Sequence, residues 1–231
     1  HEGHGSLIER AAKENDKVVV SVFVNPIQFG PTEDLASYPR DFEADCAMCE
    51  SLGADLVFHP ENEEMYFEDF CTFVDINGLS EVLCGKTRPI HFRGVCTVVS
   101  KLFNIVTPDK AYFGQKDAQQ LAIIRRMTRD LNFDIEIVGC PIVREDDGLA
   151  KSSRNTLLTP AQREAAPHIY KCLKKAVEYA ATMTPAQVIE TVTKEIDSNP
   201  ELETEYIEII DADTLRPVEN WNDAENLRLW C

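Results

Sequence analysis

Asp109-Lys110-Ala111-Tyr112-Phe113-Gly114-Gln115-Lys116-Asp117 is a strand-like run that breaks at a glycine and leads into a helical pattern over residues 118–131. The order strand, Gly, Lys, Asp, helix decides the fold class. A helix starting at the carboxyl end of a strand presents unpaired N–H groups and the positive end of its dipole. Such a start suits an anion, above all a phosphate. Lys116 would meet that anion as a point charge. Asp117 could hold Mg²⁺ or cap the helix. Gln119 and Gln120 fall on the first helical turn, where one of them can face a cleft.

Upstream, Lys17-Val18-Val19-Val20-Ser21-Val22-Phe23-Val24 is nearly continuous and β-branched, which predicts a buried parallel strand. It runs into Asn25-Pro26-Ile27-Gln28-Phe29-Gly30, a loop at a strand's carboxyl end. Asn25 and Gln28 are therefore candidate binding residues, or turn chemistry before and after a proline. Residues 34–52 read as helical with a break near Pro39, residues 54–59 as a strand, and residues 66–76 as holding a short strand centred on Phe73. Residues 88–95 read as a loop into a helix over 95–106. There His91 and Arg93 beside Gly94 could form an anion pocket or a structural turn. Residues 133–140 read as the last strand. The alternation predicts an α/β fold with a doubly wound, parallel, Rossmann-like sheet over residues 1–142, and a hinge at Cys140-Pro141-Ile142.

The chain's opening, His1-Glu2-Gly3-His4, sets two imidazoles about a glycine at the start of a helix, a second phosphate-binding pattern. The character changes after Val143, and residues 143–231 read as a smaller α+β domain. Residues 145–148 are a turn. Lys151-Ser152-Ser153-Arg154-Asn155 gathers two cations and two hydroxyls on one mobile loop, which suits a triphosphate or a plain polar surface. Thr159-Pro160 and Thr184-Pro185 start helices, each with Thr as cap and Pro at the first position. Residues 206–210 form a strand.

The net charge of −17 argues against a nucleic-acid surface, which the phosphate backbone would repel. No apolar run reaches membrane-spanning length, and no signal peptide is visible. Of eight cysteines, only Cys46 and Cys49 form a C-x-x-C, with no partner pair nearby. The reading is reduced thiols in a cytoplasmic protein, mostly small core hydrophobes, with a zinc or redox module as the alternative.

Taken together and in order, His1-Glu2-Gly3-His4, the Phe23 to Phe29 segment, His91-Phe92-Arg93-Gly94, Tyr112-Phe113-Gly114-Gln115-Lys116-Asp117, Gln119-Gln120, Lys151-Ser152-Ser153-Arg154-Asn155 and Asp211-Ala212-Asp213 resemble the pantoate–β-alanine ligase (pantothenate synthetase) family. That family belongs to the HIGH-motif nucleotidyltransferases, and the resemblance covers nearly the whole chain. It implies a ligase that makes pantoyl adenylate from ATP and pantoate, then pantothenate and AMP by attack of β-alanine. It implies His4 as the catalytic histidine, with His1, Lys116, Lys151 and Arg154 on the phosphates. It implies an ATP site of His1, Glu2, Gly3, His4, Gly114, Gln115, Lys116, Asp117, Val143, Lys151, Ser152, Ser153 and Arg154. Val143 would meet the adenine through its backbone. Gln28 and Gln120 would hold pantoate, with Asn25 beside them, and Mg²⁺ would accompany ATP, Asp117 being its candidate ligand. It further implies a nucleotide- and pantoate-binding first domain, a lid-like second domain and a homodimer.

The family pattern also has a strand and a Pro-Thr-Met-Gly loop ahead of the histidine motif, and neither stands in this sequence. The expectation is a chain trimmed at both ends, and so a catalytically incomplete fragment is one alternative. Another nucleotidyltransferase is the nearest rival, separated by the Asn25 to Phe29 loop and Gln120. A tRNA synthetase is disfavoured by the charge. A metal or redox module, or a subunit that only dimerises, completes the field.

Overall fold

His1 caps the first helix, α1 (Glu2–Glu14), its ring Nδ1 accepting from the His4 backbone N–H at 3.3 Å. Gly5, Ile8 and Ala11 bury the inner face of this helix. The computed structural model describes all 231 residues and divides into two units, His1–Val143 and Arg144–Cys231.

In the first unit, β1 (Val19–Ser21) lies parallel to β2 (Leu56–Phe58), with α2 (Phe42–Ser51) between them in sequence. Downstream, β3 (Lys110–Gly114) lies parallel to β4 (Glu136–Cys140), with α5 (Ala118–Asp130) between them. Each pair is thus a βαβ unit, as α/β alternation requires. The short α3 (Asn62–Met65) and the long α4 (His91–Val106) join the two halves. Phe92, Val95, Cys96, Val98, Val99 and Phe103 of α4 are buried, which makes it the core helix of this unit.

Four local readings change. The strand expected over 17–24 is regular only from Val19 to Ser21, and Val19 and Leu56 stand exposed because β1 and β2 pair with each other alone. The helix expected from residue 34 begins at Phe42, where the Asp41 carboxylate caps it by accepting from Ala44 N–H at 3.0 Å. Pro39 ahead of it keeps Tyr38 out of the helical region. No strand forms over residues 66–76, since Val74 N–H bonds the Thr97 hydroxyl of α4 at 3.0 Å rather than a neighbouring strand. The loop expected over 88–95 is already helix from His91, so His91, Arg93 and Gly94 lie on the first turn of α4.

That first turn packs against a 3-10 turn, Pro26–Gln28, that follows β1. Gly94 permits the approach: a Cβ there would stand 2.5 Å from Gln28 Cα and 2.6 Å from Ile27 O. These are backbone atoms, which cannot swing aside.

The second unit holds α6 (Pro160–Ala165), α7 (Pro167–Tyr179), α8 (Pro185–Asp197) and the antiparallel pair β5 (Glu208–Asp211) and β6 (Leu227–Trp230). Thr159 with Gln162, and Thr184 with Gln187, close reciprocal capping boxes with Pro at the first helical position. Cys172, Ala176, Val188, Val192, Ile196, Ile207 and Ile209 form its core. All eight cysteines are free, with Cys49, Cys96, Cys140 and Cys172 buried, and no group of His, Cys, Asp or Glu is placed to hold a metal. No helix is long and apolar enough to cross a membrane.

Gly94→Ala is expected to destabilise the chain by about 3 kcal/mol, the upper range for overpacking, and to lower the melting midpoint by roughly 6–12 °C. An unchanged midpoint by calorimetry would contradict the close approach.

Candidate active site

The start of α1 stacks two imidazoles, with the His1 and His4 ring centroids 3.9 Å apart. Burial lowers the His4 pKa below its ordinary value of 6.5, and the chain's α-amino group and Lys116 add to this while Asp117 opposes it. His4 is therefore mainly neutral near pH 7, and it keeps an exposed edge. Its electrostatic coupling to Lys116 and Asp117 joins the opening motif to the turn after β3.

That turn, Gln115–Asp117, is a 3-10 segment leading into α5. Asp117 occupies the cap position of α5 without making a side-chain cap bond, and the Lys116 ammonium lies 3.4 Å from its carboxylate. A Cβ at Gly114 would meet nothing closer than Lys116 N at 4.0 Å, so the space beside this glycine is open. Val143 lines a cleft of about 470 Å³ together with His1, Glu2, Gly5, Met48 and Leu52.

The Asn25 to Gln28 turn carries the second half of the site. Asn25 is buried, and its carboxamide is fully engaged. Its Nδ2 donates to Gln28 Oε1 at 3.0 Å and to Gly94 O at 3.1 Å, and its Oδ1 accepts from the Tyr66 hydroxyl at 2.6 Å. Gln28 Oε1 is thereby taken, which leaves its NH₂ as the group on offer. The two glutamines at the start of α5 separate in the same way. Gln119 is buried and spent on Leu79 O, Val82 O and the Cys84 thiol, whereas Gln120 is half-buried and bonds no protein group.

His91 and Arg93 take different environments on the first turn of α4. His91 is buried, and its Nδ1 donates to Gln28 O at 3.1 Å. Burial lowers its pKa first, with Arg88 adding to the effect. Arg93 lies over the Phe73 ring at 3.9 Å. His91 serves packing, whereas Arg93 is exposed.

In the second unit, Lys151-Ser152-Ser153-Arg154 runs from a β-bridge into a 3-10 helix. Arg144 and Ala150 form a β-bridge ahead of it, and Ser153–Leu157 is a 3-10 helix. Ser152 caps that helix, its hydroxyl accepting from Arg154 N–H at 3.3 Å. Asn155 Nδ2 donates to Ala150 O at 3.0 Å, and the Lys151 ammonium meets Glu145 at 3.3 Å. Gly148, at φ +97°, closes the preceding turn against Tyr170, where a Cβ would stand 2.7 Å from a ring carbon.

Tyr66, which bonds Asn25, lies in the segment that sequence reasoning read as holding a short strand. Its link to Asn25 spans 41 positions and leaves no local pattern.

The profile of the Pantoate-beta-alanine ligase family matches residues 1–231. Pantothenate synthetase from Clostridioides difficile (strain 630) is 57% identical over 220 residues, which are 94% of this chain and 78% of that protein. The crystal structure of pantothenate synthetase from Thermus thermophilus superposes with a TM-score of 0.92 at 48% identity, covering 96% of this chain and 81% of that one. The crystal structure of pantoate-beta-alanine ligase from Francisella tularensis, complexed with beta-gamma ATP and beta-alanine, superposes with a TM-score of 0.80 at 36% identity, covering 90% of this chain and 77% of that one.

The His4 ring protons are expected to titrate below pH 6.5 by NMR. Lys116→Met is expected to raise that midpoint, and Asp117→Asn to lower it further. A midpoint at or above 6.5 in the unmodified chain would contradict the environment described.

Proposed function

Since this chain belongs to the pantoate–β-alanine ligase family, we propose that it joins pantoate to β-alanine in two steps driven by ATP. In the first, a pantoate carboxylate oxygen attacks the α-phosphorus of ATP. The bond from that phosphorus to the bridging oxygen breaks, and pyrophosphate leaves with the electron pair. In the second, the β-alanine amine attacks the acyl carbon of pantoyl adenylate. AMP leaves, the nitrogen gives up a proton, and the amide of pantothenate is formed. The observation that carries this reading is the family match across residues 1–231. The beta-gamma ATP and beta-alanine of the Francisella relative support both substrates.

The residues divide the work by chemistry. Neutral His4, beside His1, has a ring N–H to give to phosphate oxygens, and Lys116 adds fixed positive charge where charge develops on the leaving pyrophosphate. Glu2 and Gly3 form the first turn of α1, whose backbone N–H groups and dipole favour the same anion. Gly114 and Gln115 border the open space before α5, and Val143 offers its main chain to the adenine. Gln28 and Gln120, the carboxamides with donors to spare, bind pantoate, and Asn25 holds Gln28. Lys151, Ser152, Ser153 and Arg154 of the second unit offer cations and hydroxyls that suit a nucleotide's phosphates.

Mg²⁺ belongs to the proposal with ATP. A magnesium ion held mainly by phosphate oxygens and water needs only one or two protein carboxylates, and uncapped Asp117 fits that need. It would screen charge between the phosphates. A homodimer is supported by exposed aromatic surface at Phe67 and Phe73, and a cytoplasmic location by eight free thiols.

The chain is expected to release pyrophosphate from ATP and pantoate before β-alanine is added, and pantothenate after. His4→Ala is expected to slow adenylate formation by about 10²–10³-fold, the size of one lost transition-state donor, with its melting midpoint little changed. Turnover at the unmodified rate in His4→Ala would remove that residue from the mechanism.

A further inference from the structure

We propose that Tyr66 is a positioning residue for pantoate, fixing through Asn25 the side of the Gln28 carboxamide that meets the substrate. The inference rests on Gln28 being a pantoate ligand. One group in the chain of bonds cannot be misassigned. Gly94 O is a backbone carbonyl and can only accept, so the Asn25 atom 3.1 Å from it is the NH₂ nitrogen. The Asn25 oxygen is then the atom facing Tyr66, whose hydroxyl donates to it at 2.6 Å. The second Asn25 N–H donates to Gln28 at 3.0 Å, so the Gln28 oxygen points inward. What remains on the open side of Gln28 is an NH₂ group, which suits the carboxylate and hydroxyl oxygens of pantoate. The reverse orientation would set one donor against another.

Tyr66 is built to stay a donor. Burial pushes its pKa well above the ordinary tyrosine range. Its ring is held by Phe70 at 5.0 Å and by Phe23 at 6.4 Å, between centroids. The backbone of Gln28 is pinned separately, by Gly94 at its Cα and by His91 at its carbonyl. Removing the Tyr66 hydroxyl therefore leaves the Gln28 main chain in place. It strands the buried Asn25 oxygen, which can recover a partner only by turning toward water and releasing Gln28.

The test is Tyr66→Phe, which keeps the ring and removes the hydroxyl. Pantoate KM is expected to rise about tenfold, as for one lost hydrogen bond in a desolvated site, with ATP KM held within about twofold. In a Gln28→Ala background the same change is expected to leave pantoate KM unmoved, because groups acting in series do not add. A parallel rise in both KM values, or a full effect in the Gln28→Ala background, would overturn the relay. A substrate-free arm follows hydrogen exchange of the Asn25 side-chain NH₂, identified by its loss in Asn25→Asp. Exchange is expected to speed up about tenfold or more in Tyr66→Phe, and unchanged exchange overturns the relay whatever the activity. Failure of the unmodified chain to release pyrophosphate defeats the ligase reading instead, and the exchange measurement still decides the relay.

Discussion

The close approach of Gly94 to the Gln28 backbone is the contact on which the Asn25 to Gln28 turn depends. A helix can stand 2.5 Å, Cβ position to Cα, from another backbone only if no Cβ is present. Once α4 is seated there, its first turn supplies two of the partners of the Asn25 to Gln28 turn, and Tyr66 supplies another. Gly94 O receives Asn25, His91 meets the Gln28 carbonyl, and Thr97 one turn on ties down Val74. Buried Phe92 and Val95 hold that turn in the core. The turn is therefore buttressed by a helix, so the Gln28 carboxamide is placed with little further loss of entropy on binding.

The nucleotide half is electrostatic. The chain carries a net charge of −17, yet the cations assigned to phosphate stand beside carboxylates of their own, Lys116 by Asp117 and Lys151 by Glu145. The exposed Lys116–Asp117 pair is of the kind that contributes about 0–1 kcal/mol. The neutral imidazole of His4 at the head of α1 completes the picture, since it can give a hydrogen bond without adding a charge. The Lys151 to Arg154 segment owes its shape to the Arg144–Ala150 bridge and to the glycine turn against Tyr170, all within the second unit.

Long periodic segments were legible in the sequence. Residues 109–131 read as strand, turn and helix, and form β3, a 3-10 turn and α5. The Thr-Pro helix starts at 159 and 184 and the α/β class were readable for the same reason, because local rules and tertiary packing agree there. Boundaries failed where tertiary contacts decide. The edge-exposed β1 is shorter than its β-branched run, and the 66–76 segment gave its backbone bond to Thr97 rather than to a strand. Among site residues, residue type and helix position left Gln119 and Gln120 alike, and only the family resemblance named Gln120; neither told a ligand Asn25 from a supporting one. That distinction is made by hydrogen bonds to residues distant in sequence: Tyr66, Leu79, Val82 and Gly94.

The proposed pantoate ligand is the Gln28 carboxamide, on a turn that packs against α4. A crystal structure of the chain with pantoate bound tests this most directly. Gln28 Nε2 is expected within about 2.7–3.2 Å of a pantoate oxygen, with Asn25 still bonded to Gly94 O and Tyr66. Pantoate bound elsewhere, or met by Gln28 Oε1 with Asn25 turned away, would contradict it.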